Sequence, residues 1–252
     1  MHLDPNRLVE AALEMVEAGA AVIDVGARST APYGTTAISE AEECERLERA
    51  IAVLVAKLPV PISADTTTAR AARVALGAGA RIVNDVSGLA DAALASVVSE
   101  HDAGLILAAS PAIEPAPARG EAGRPIQIVA GCLTQSLKRA RAAGIAEGRI
   151  VVDPGIGFFR EQSIPWDAWD AEVLANLAVL RDLGRPLCVG LSRKSFIGAI
   201  TGRRSPADRL AGSLAATALA VWNGAAAIRT HDVADTVDAV RVAERLRDAA
   251  LR

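Results

Sequence analysis

The stretch Ile150-Val151-Val152-Asp153-Pro154-Gly155-Ile156-Gly157-Phe158-Phe159 places the tightest limit on what this chain can fold into. The β-branched run Ile150 to Val152 suits a strand covered on both faces. Pro154, Gly155 and Gly157 then prevent a helix and let backbone approach a ligand closely. An apolar strand therefore stops at a carboxylate, Asp153. One reading makes Asp153 a capping or turn-forming residue. The other has it accept two adjacent N–H donors from a planar ligand edge, such as the amidine-like edge of a pterin or guanine, as a carboxylate does from arginine.

The same unit recurs along the chain. Strands are expected at 21–25, 61–65, 81–85, 104–108, 150–153, 187–191 and 225–230. Helices alternate with them. Asp4 as N-cap and Pro5 at the first helical position open one that ends at Gly19. Ser39 with Glu42 forms a capping box for a second, whose Leu47, Ile51 and Leu54 repeat at helical spacing up to Leu58. Further helices are expected over 66–78, 91–101, 126–143, part of 163–183, 206–221 and 235–251. The Pro-, Ala- and Gly-rich segment 110–124 reads as a long loop within one domain spanning 1–252. Strict alternation implies a parallel sheet, and about seven units in one domain close most naturally as an α/β barrel of the TIM type, one strand short of eight. A doubly wound open sheet is the alternative, but no GxGxxG follows the first strand.

Composition removes several functions. A net charge of −3 without a dense Lys/Arg face argues against nucleic-acid binding. No apolar run reaches the ~20 residues that a membrane helix needs, and the start of the chain lacks a signal-peptide layout, so a cytoplasmic protein is expected. Cys44, Cys132 and Cys188 lack metal or redox spacing and read as buried structural thiols.

In a barrel of this type the loops after the strands share one face. There the expected strands deliver Asp65, Asn84, Asp153, Lys194, Arg229 and His231. Two carboxylates, an amide and three cationic or titratable groups are costly to bury unless they pair with each other or with a ligand. Asp65, Asn84 and Asp153 suit a nitrogen heterocycle with a donor-rich edge. Lys194 suits its carbonyl or ring nitrogen, and Arg229 with His231 a phosphate-type anion. The bland alternatives are a solvated loop lysine at 194 and a backbone-bonded histidine at 231. Asp24 and Asp85 read as residues that cap or orient their neighbours. Trp166 and Trp169 read as packing or an oligomer contact, and Arg241, Arg245 and Arg247 as a solvated helix face.

Taken together, Asp-Val-Gly-Ala-Arg-Ser-Thr-Ala-Pro from Asp24, Ser-Ala-Asp-Thr from Ser63, Val-Asn-Asp-Val-Ser-Gly from Val83, Asp-Pro-Gly-Ile-Gly-Phe from Asp153, Gly-Leu-Ser-Arg-Lys-Ser from Gly190 and Arg-Thr-His-Asp-Val from Arg229 resemble the dihydropteroate synthases, a family of pterin-binding barrels. The match runs in order over nearly the whole chain. The resemblance implies condensation of a dihydropterin methyl diphosphate with an arylamine, typically p-aminobenzoate, and release of diphosphate in folate synthesis. It assigns Asp65, Asn84, Asp153 and Lys194 to the pterin, Arg229 and His231 to the diphosphate, and Ser29, Thr30 and Ser195 to the neighbourhood of the arylamine. It also implies Mg²⁺ and a homodimer.

Three departures from the family pattern stand out. The usual first strand and its loop, whose Asn helps bind Mg²⁺, have no counterpart here. Ala31-Pro32-Tyr33 replaces Arg-Pro-Gly, which removes a cation and points to a larger aniline, such as the ribosylated one of methanopterin-type cofactors. Ala109-Ser110-Pro111 replaces a His-Met segment, and Phe159-Arg160 stands where Gly-Lys is common. Two other functions share this resemblance: a methylpterin-dependent corrinoid methyltransferase, against which Ser192-Arg193-Lys194-Ser195 argues, and a non-catalytic pterin-binding homologue.

Overall fold

The computed structural model describes residues 4–28, 38–115 and 123–250. Ser29, Thr30 and the Ala31-Pro32-Tyr33 departure lie outside them. Strands and helices alternate as expected. Their order is α1 (Pro5–Glu17), β1 (Ile23–Gly26), α2 (Glu40–Val55), β2 (Ile62–Asp65), α3 (Ala69–Gly77), β3 (Ile82–Asp85), α4 (Ala92–Glu100), β4 (Gly104–Ala108), α5 (Pro125–Ala142), β5 (Ile150–Asp153), α6 (Trp166–Ala175), β6 (Leu187–Gly190), α7 (Ser195–Thr201), α8 (Leu210–Trp222), β7 (Ala225–Arg229) and α9 (Val233–Ala250).

Local chemistry sets the helix starts. Asp4, Ser39, Thr68 and Asp91 each accept a backbone N–H from the first turn of the helix that follows. Leu47, Ile51 and Leu54 of α2 are buried, as their spacing requires.

The chain divides into two compact units, 1–107 with 137–150, and 108–136 with 151–252. In the first, β1, β2, β3 and β4 pair in parallel, with Asp24 beside Ser63, Gly26 beside Asp65, and Asp65 beside Asn84. Ala64 and Val83 are fully buried and Ile62 nearly so, which is the signature of strands covered on both faces. In the second, β5, β6 and β7 are parallel, and Gly190 stands beside Arg229. A Cβ at Gly190 would lie 3.2 Å from Arg229 Nη2, so glycine there admits the guanidinium.

One difference from the sequence reading lies after β6. The helix expected over 206–221 is a 3₁₀ turn (Pro206–Arg209) followed by α8, and a short helix, α7, precedes it. At seven residues α7 is too short to show a periodic apolar stripe. One acid of α2, Glu43, is buried. It accepts from Thr66 Oγ1 at 2.7 Å and pairs with Arg28 Nε at 2.7 Å.

Cys44, Cys132 and Cys188 are buried and free of disulfides. Burial pushes the Cys132 thiol up to about 11. No helix among the described residues is long and apolar enough to cross a membrane.

Candidate active site

Each unit carries its own group of polar residues at the C-terminal ends of its strands. In the first unit Asn84, almost fully buried, donates from Nδ2 to Asp24 Oδ2 at 2.8 Å. Its Oδ1 is also buried and has no hydrogen-bond partner among the described residues. A buried acceptor left in this way is costly unless a ligand brings a donor. Asp65 stands beside Asn84 in the parallel register. Asp24 therefore orients Asn84, and Asp85 organises a turn: it is fully buried and accepts from Ser87 N, Ser87 Oγ and Leu89 N at 2.9, 2.6 and 2.6 Å. Burial raises the Asp85 carboxyl above its ordinary range against the opposing pull of these donors.

In the second unit the carboxylate of Asp153 is fixed at one oxygen by Gly155 N–H (2.8 Å), while Arg229 Nη2 lies 3.9 Å from the other. Gly155 has φ +71°, and a Cβ there would come within 2.4 Å of the Ala109 carbonyl oxygen. Ala109 itself donates to the Asp153 carbonyl at 2.8 Å, so the Ala109-Ser110-Pro111 departure is tied directly to the end of β5.

Lys194 follows β6 and donates from Nζ to the Ile156 carbonyl at 2.8 Å. It is held there, rather than solvated as a loop lysine. Burial lowers its pKa; Asp153 and Asp170 pull it back up, and Arg229 and Arg160 push it further down. Its aim depends on Arg193, whose φ of +57° is unusual for a side chain with a Cβ. Arg193 N–H donates to Ser213 Oγ at 2.9 Å, its carbonyl accepts from Arg209 Nη1 at 2.9 Å, and its Nε donates to Asp232 Oδ2 at 3.0 Å.

His231 pairs through Nδ1 with Ser192 Oγ at 2.9 Å, a side-chain partner where the bland reading expected backbone. Partial burial, then the Arg193 cation, lowers its pKa below 6.5, with Asp232 opposing. Arg229, as a guanidinium, carries the permanent charge of this group.

The residue model of the family described as "Pterin binding enzyme" matches residues 1–231. The chain belongs to the pterin-binding enzyme family. A dihydropteroate synthase of Synechocystis is 37% identical over 244 residues, which cover 94% of this chain and 81% of that relative. Among solved structures, the Xanthomonas albilineans dihydropteroate synthase with 4-aminobenzoic acid superposes with a TM-score of 0.87 at 36% identity, covering 98% of this chain and 86% of that one. The same enzyme in complex with 7,8-dihydropteroate gives a TM-score of 0.84 at 34% identity, covering 98% and 87%.

The family match, together with likeness to dihydropteroate synthases over most of both chains, bears out the α/β, TIM-barrel-type fold and a dihydropteroate synthase-like transferase, one that condenses a pterin with an arylamine in folate synthesis.

Three contacts in this group of the second unit were not legible in sequence. Asp170, on α6, is buried and accepts from Gly157 N–H at 2.9 Å, and burial raises its pKa, with that donor opposing. Arg160 donates from Nε to the Gly157 carbonyl at 2.7 Å and from Nη2 to Ser195 Oγ at 2.8 Å. Its guanidinium lies 4.4 Å from the centre of the Trp166 ring, so Trp166 does more than pack. Trp169 does pack, stacking on Phe159 at 5.2 Å. Nothing in local spacing ties Asp170 or Trp166 to the turn after β5; the fold back of α6 makes the connection.

Proposed function

We propose that this chain joins a dihydropterin methyl diphosphate to p-aminobenzoate or a larger aniline: the CH₂–O bond to diphosphate breaks, and the amine nitrogen then bonds to that carbon and loses a proton. The observation that carries this reading is the arrangement at the ends of β5, β6 and β7: the carboxylate of Asp153, the ammonium of Lys194 and the guanidinium of Arg229 follow adjacent parallel strands. Asp153 presents a carboxylate for the amidine-like pterin edge. Lys194 donates to the pterin carbonyl or ring nitrogen, and Arg229 with His231 takes the diphosphate. On the first unit, Asp65 and Asn84 are assigned to the pterin; the buried Asn84 Oδ1 supports that assignment. Ser29, Thr30 and Ser195 are assigned to the arylamine.

Departure of diphosphate leaves a cation stabilised by the pterin ring, so the protein has two tasks: to neutralise the leaving group and to position the amine. Among the described residues no three His, Cys, Asp or Glu side chains converge on one point, so they form no protein cage for Mg²⁺. A Mg²⁺ ion entering with the diphosphate would be held chiefly by that ligand and would help neutralise the charge of the leaving group.

A homodimer and a cytoplasmic location complete the reading. The exposed Leu219 and Trp222 on α8 and Val242 and Leu246 on α9 support the dimer, which sedimentation velocity tests. A single sedimenting monomer would remove it.

The function is tested by mixing the chain with dihydropterin diphosphate and 4-aminobenzoate and assaying diphosphate. Release that is abolished in Asp153→Asn is the expected result. A methyltransferase or a non-catalytic homologue releases none.

A further inference from the structure

We infer that Arg160 reads the para substituent of the arylamine and selects a carboxylate there, with Trp166 holding its guanidinium in position. This rests on the reading of the chain as a pterin–arylamine condensing enzyme, and it decides between the two amines left open above.

The residues involved all belong to the second unit. Arg160 Nη2 donates to Ser195 Oγ at 2.8 Å, so the guanidinium shares the hydroxyl already assigned to the arylamine. Its Nε is anchored on the Gly157 carbonyl at 2.7 Å, and its plane lies over the Trp166 ring at 4.4 Å. Two restraints thus fix the direction of the fork before any ligand arrives, which reduces the ordering entropy of binding. The side chains of Arg160, Trp166 and Ser195 are half-buried, where a charge-assisted pair is screened less than at a fully exposed surface.

Phe158, two residues before Arg160, is also half-buried, and Lys194 Nζ lies 5.3 Å from its ring centre. The turn 157–160 therefore offers an aromatic face, and next to it a guanidinium that shares a hydroxyl. A benzoate has the same sequence of groups: a flat ring, then a planar anion.

A guanidinium fork matches a carboxylate with two parallel N–H donors, whereas a lysine supplies a point charge without that geometry. The Phe159-Arg160 departure is therefore a change in what the turn can recognise. A ribosyl substituent at the para position presents neutral hydroxyls to the fork and gains no charge-assisted pair.

The test compares kcat/KM for 4-aminobenzoate and for its neutral isostere 4-aminobenzamide in the unaltered chain, Arg160→Met, Arg160→Lys and Trp166→Leu. Arg160→Met is expected to lose about 10- to 100-fold for the acid, mainly through KM, and much less for the amide, so that the preference for the acid over the amide collapses. Arg160→Lys recovers part of the loss, and Trp166→Leu shows a smaller loss that again falls mainly on the acid. Equal losses on acid and amide, or none on either, overturn the assignment. Circular dichroism monitors folding; should Arg160→Met fail to fold, an Arg160→Lys protein with unaltered acid-to-amide preference overturns it as well. Diphosphate release by the unaltered chain with an unselective variant removes Arg160 alone. No release by the unaltered chain with either amine removes the condensing reading and this inference together.

Discussion

Lys194 Nζ donates to the Ile156 carbonyl at 2.8 Å, which ties the ammonium after β6 to the glycine turn after β5. The same turn donates Gly157 N–H to Asp170 and accepts Arg160 Nε at the Gly157 carbonyl. A segment with two glycines at positive φ thus becomes a rigid bracket that sets a lysine and an arginine relative to Asp153.

Gly155 is the position at which this bracket tolerates least. Alanine there would adopt a left-handed conformation, costing about 1–2 kcal/mol, and would push its Cβ to 2.4 Å from the Ala109 carbonyl oxygen. Gly155→Ala is expected to melt roughly 2–8 °C below the unaltered chain. Gly148→Ala, with no atom within 4 Å of its Cβ and no positive φ, serves as the control. Coincident melting curves for Gly155→Ala and the unaltered chain would refute the bracket.

Asn84 pairs with a carboxylate, so its donor matters as much as its shape. Asn84→Asp replaces the 2.8 Å N–H···O contact to Asp24 with two facing acids, and is expected to lose about 1–3 kcal/mol at neutral pH, read as a lower urea midpoint. Pterin affinity should fall with it. A midpoint equal to that of the unaltered chain would mean that Asp24 does not depend on Asn84.

His231 gives diphosphate binding a pH dependence. Its pKa is lowered in the free protein, and an anion beside it raises that value, so binding takes up a proton. Affinity should not depend on this histidine at pH values above the raised pKa. It should strengthen as pH falls, by at most tenfold per pH unit for one proton, and level off below the depressed free value. Because diphosphate also titrates, the measurement is the difference between the unaltered chain and His231→Asn in calorimetric titrations. A pH-independent difference would exclude His231 from the anion group.

Asp170 presents the opposite case, an acid whose folded pKa is raised by burial. Its folded form disfavours the carboxylate, so its contribution to stability is greatest below the unfolded value of about 3.9 and is lost as pH rises through the raised value. Asp170→Asn keeps the shape without the charge. It should gain stability relative to the unaltered chain as pH increases, and it should lower the Lys194 pKa further, because Asp170 is one of the groups holding it up. Denaturation midpoints at acid and neutral pH check the first effect, and lysine side-chain NMR titration the second. An unchanged Lys194 pKa would show that the two groups do not communicate.

The chain's own pattern determined the alternation of strands and helices, the N-caps at Asp4 and Ser39, and the ends of β4 and β5. These depend on local propensity and on periodicity within one element. Asp65, Asn84, Asp153, Lys194 and Arg229 were legible because a polar residue at the end of a buried strand, or in the loop beyond it, is costly and so conspicuous. The Asp24–Asn84 pair, the Asp170 grip on Gly157 and the Trp166–Arg160 stack were not legible. Each joins residues from different elements, or from the far side of a turn, and no spacing within a single element encodes such a pair. Tertiary packing alone decided them, because only there do a buried carboxylate and a backbone N–H, or a guanidinium and an indole, come within bonding distance.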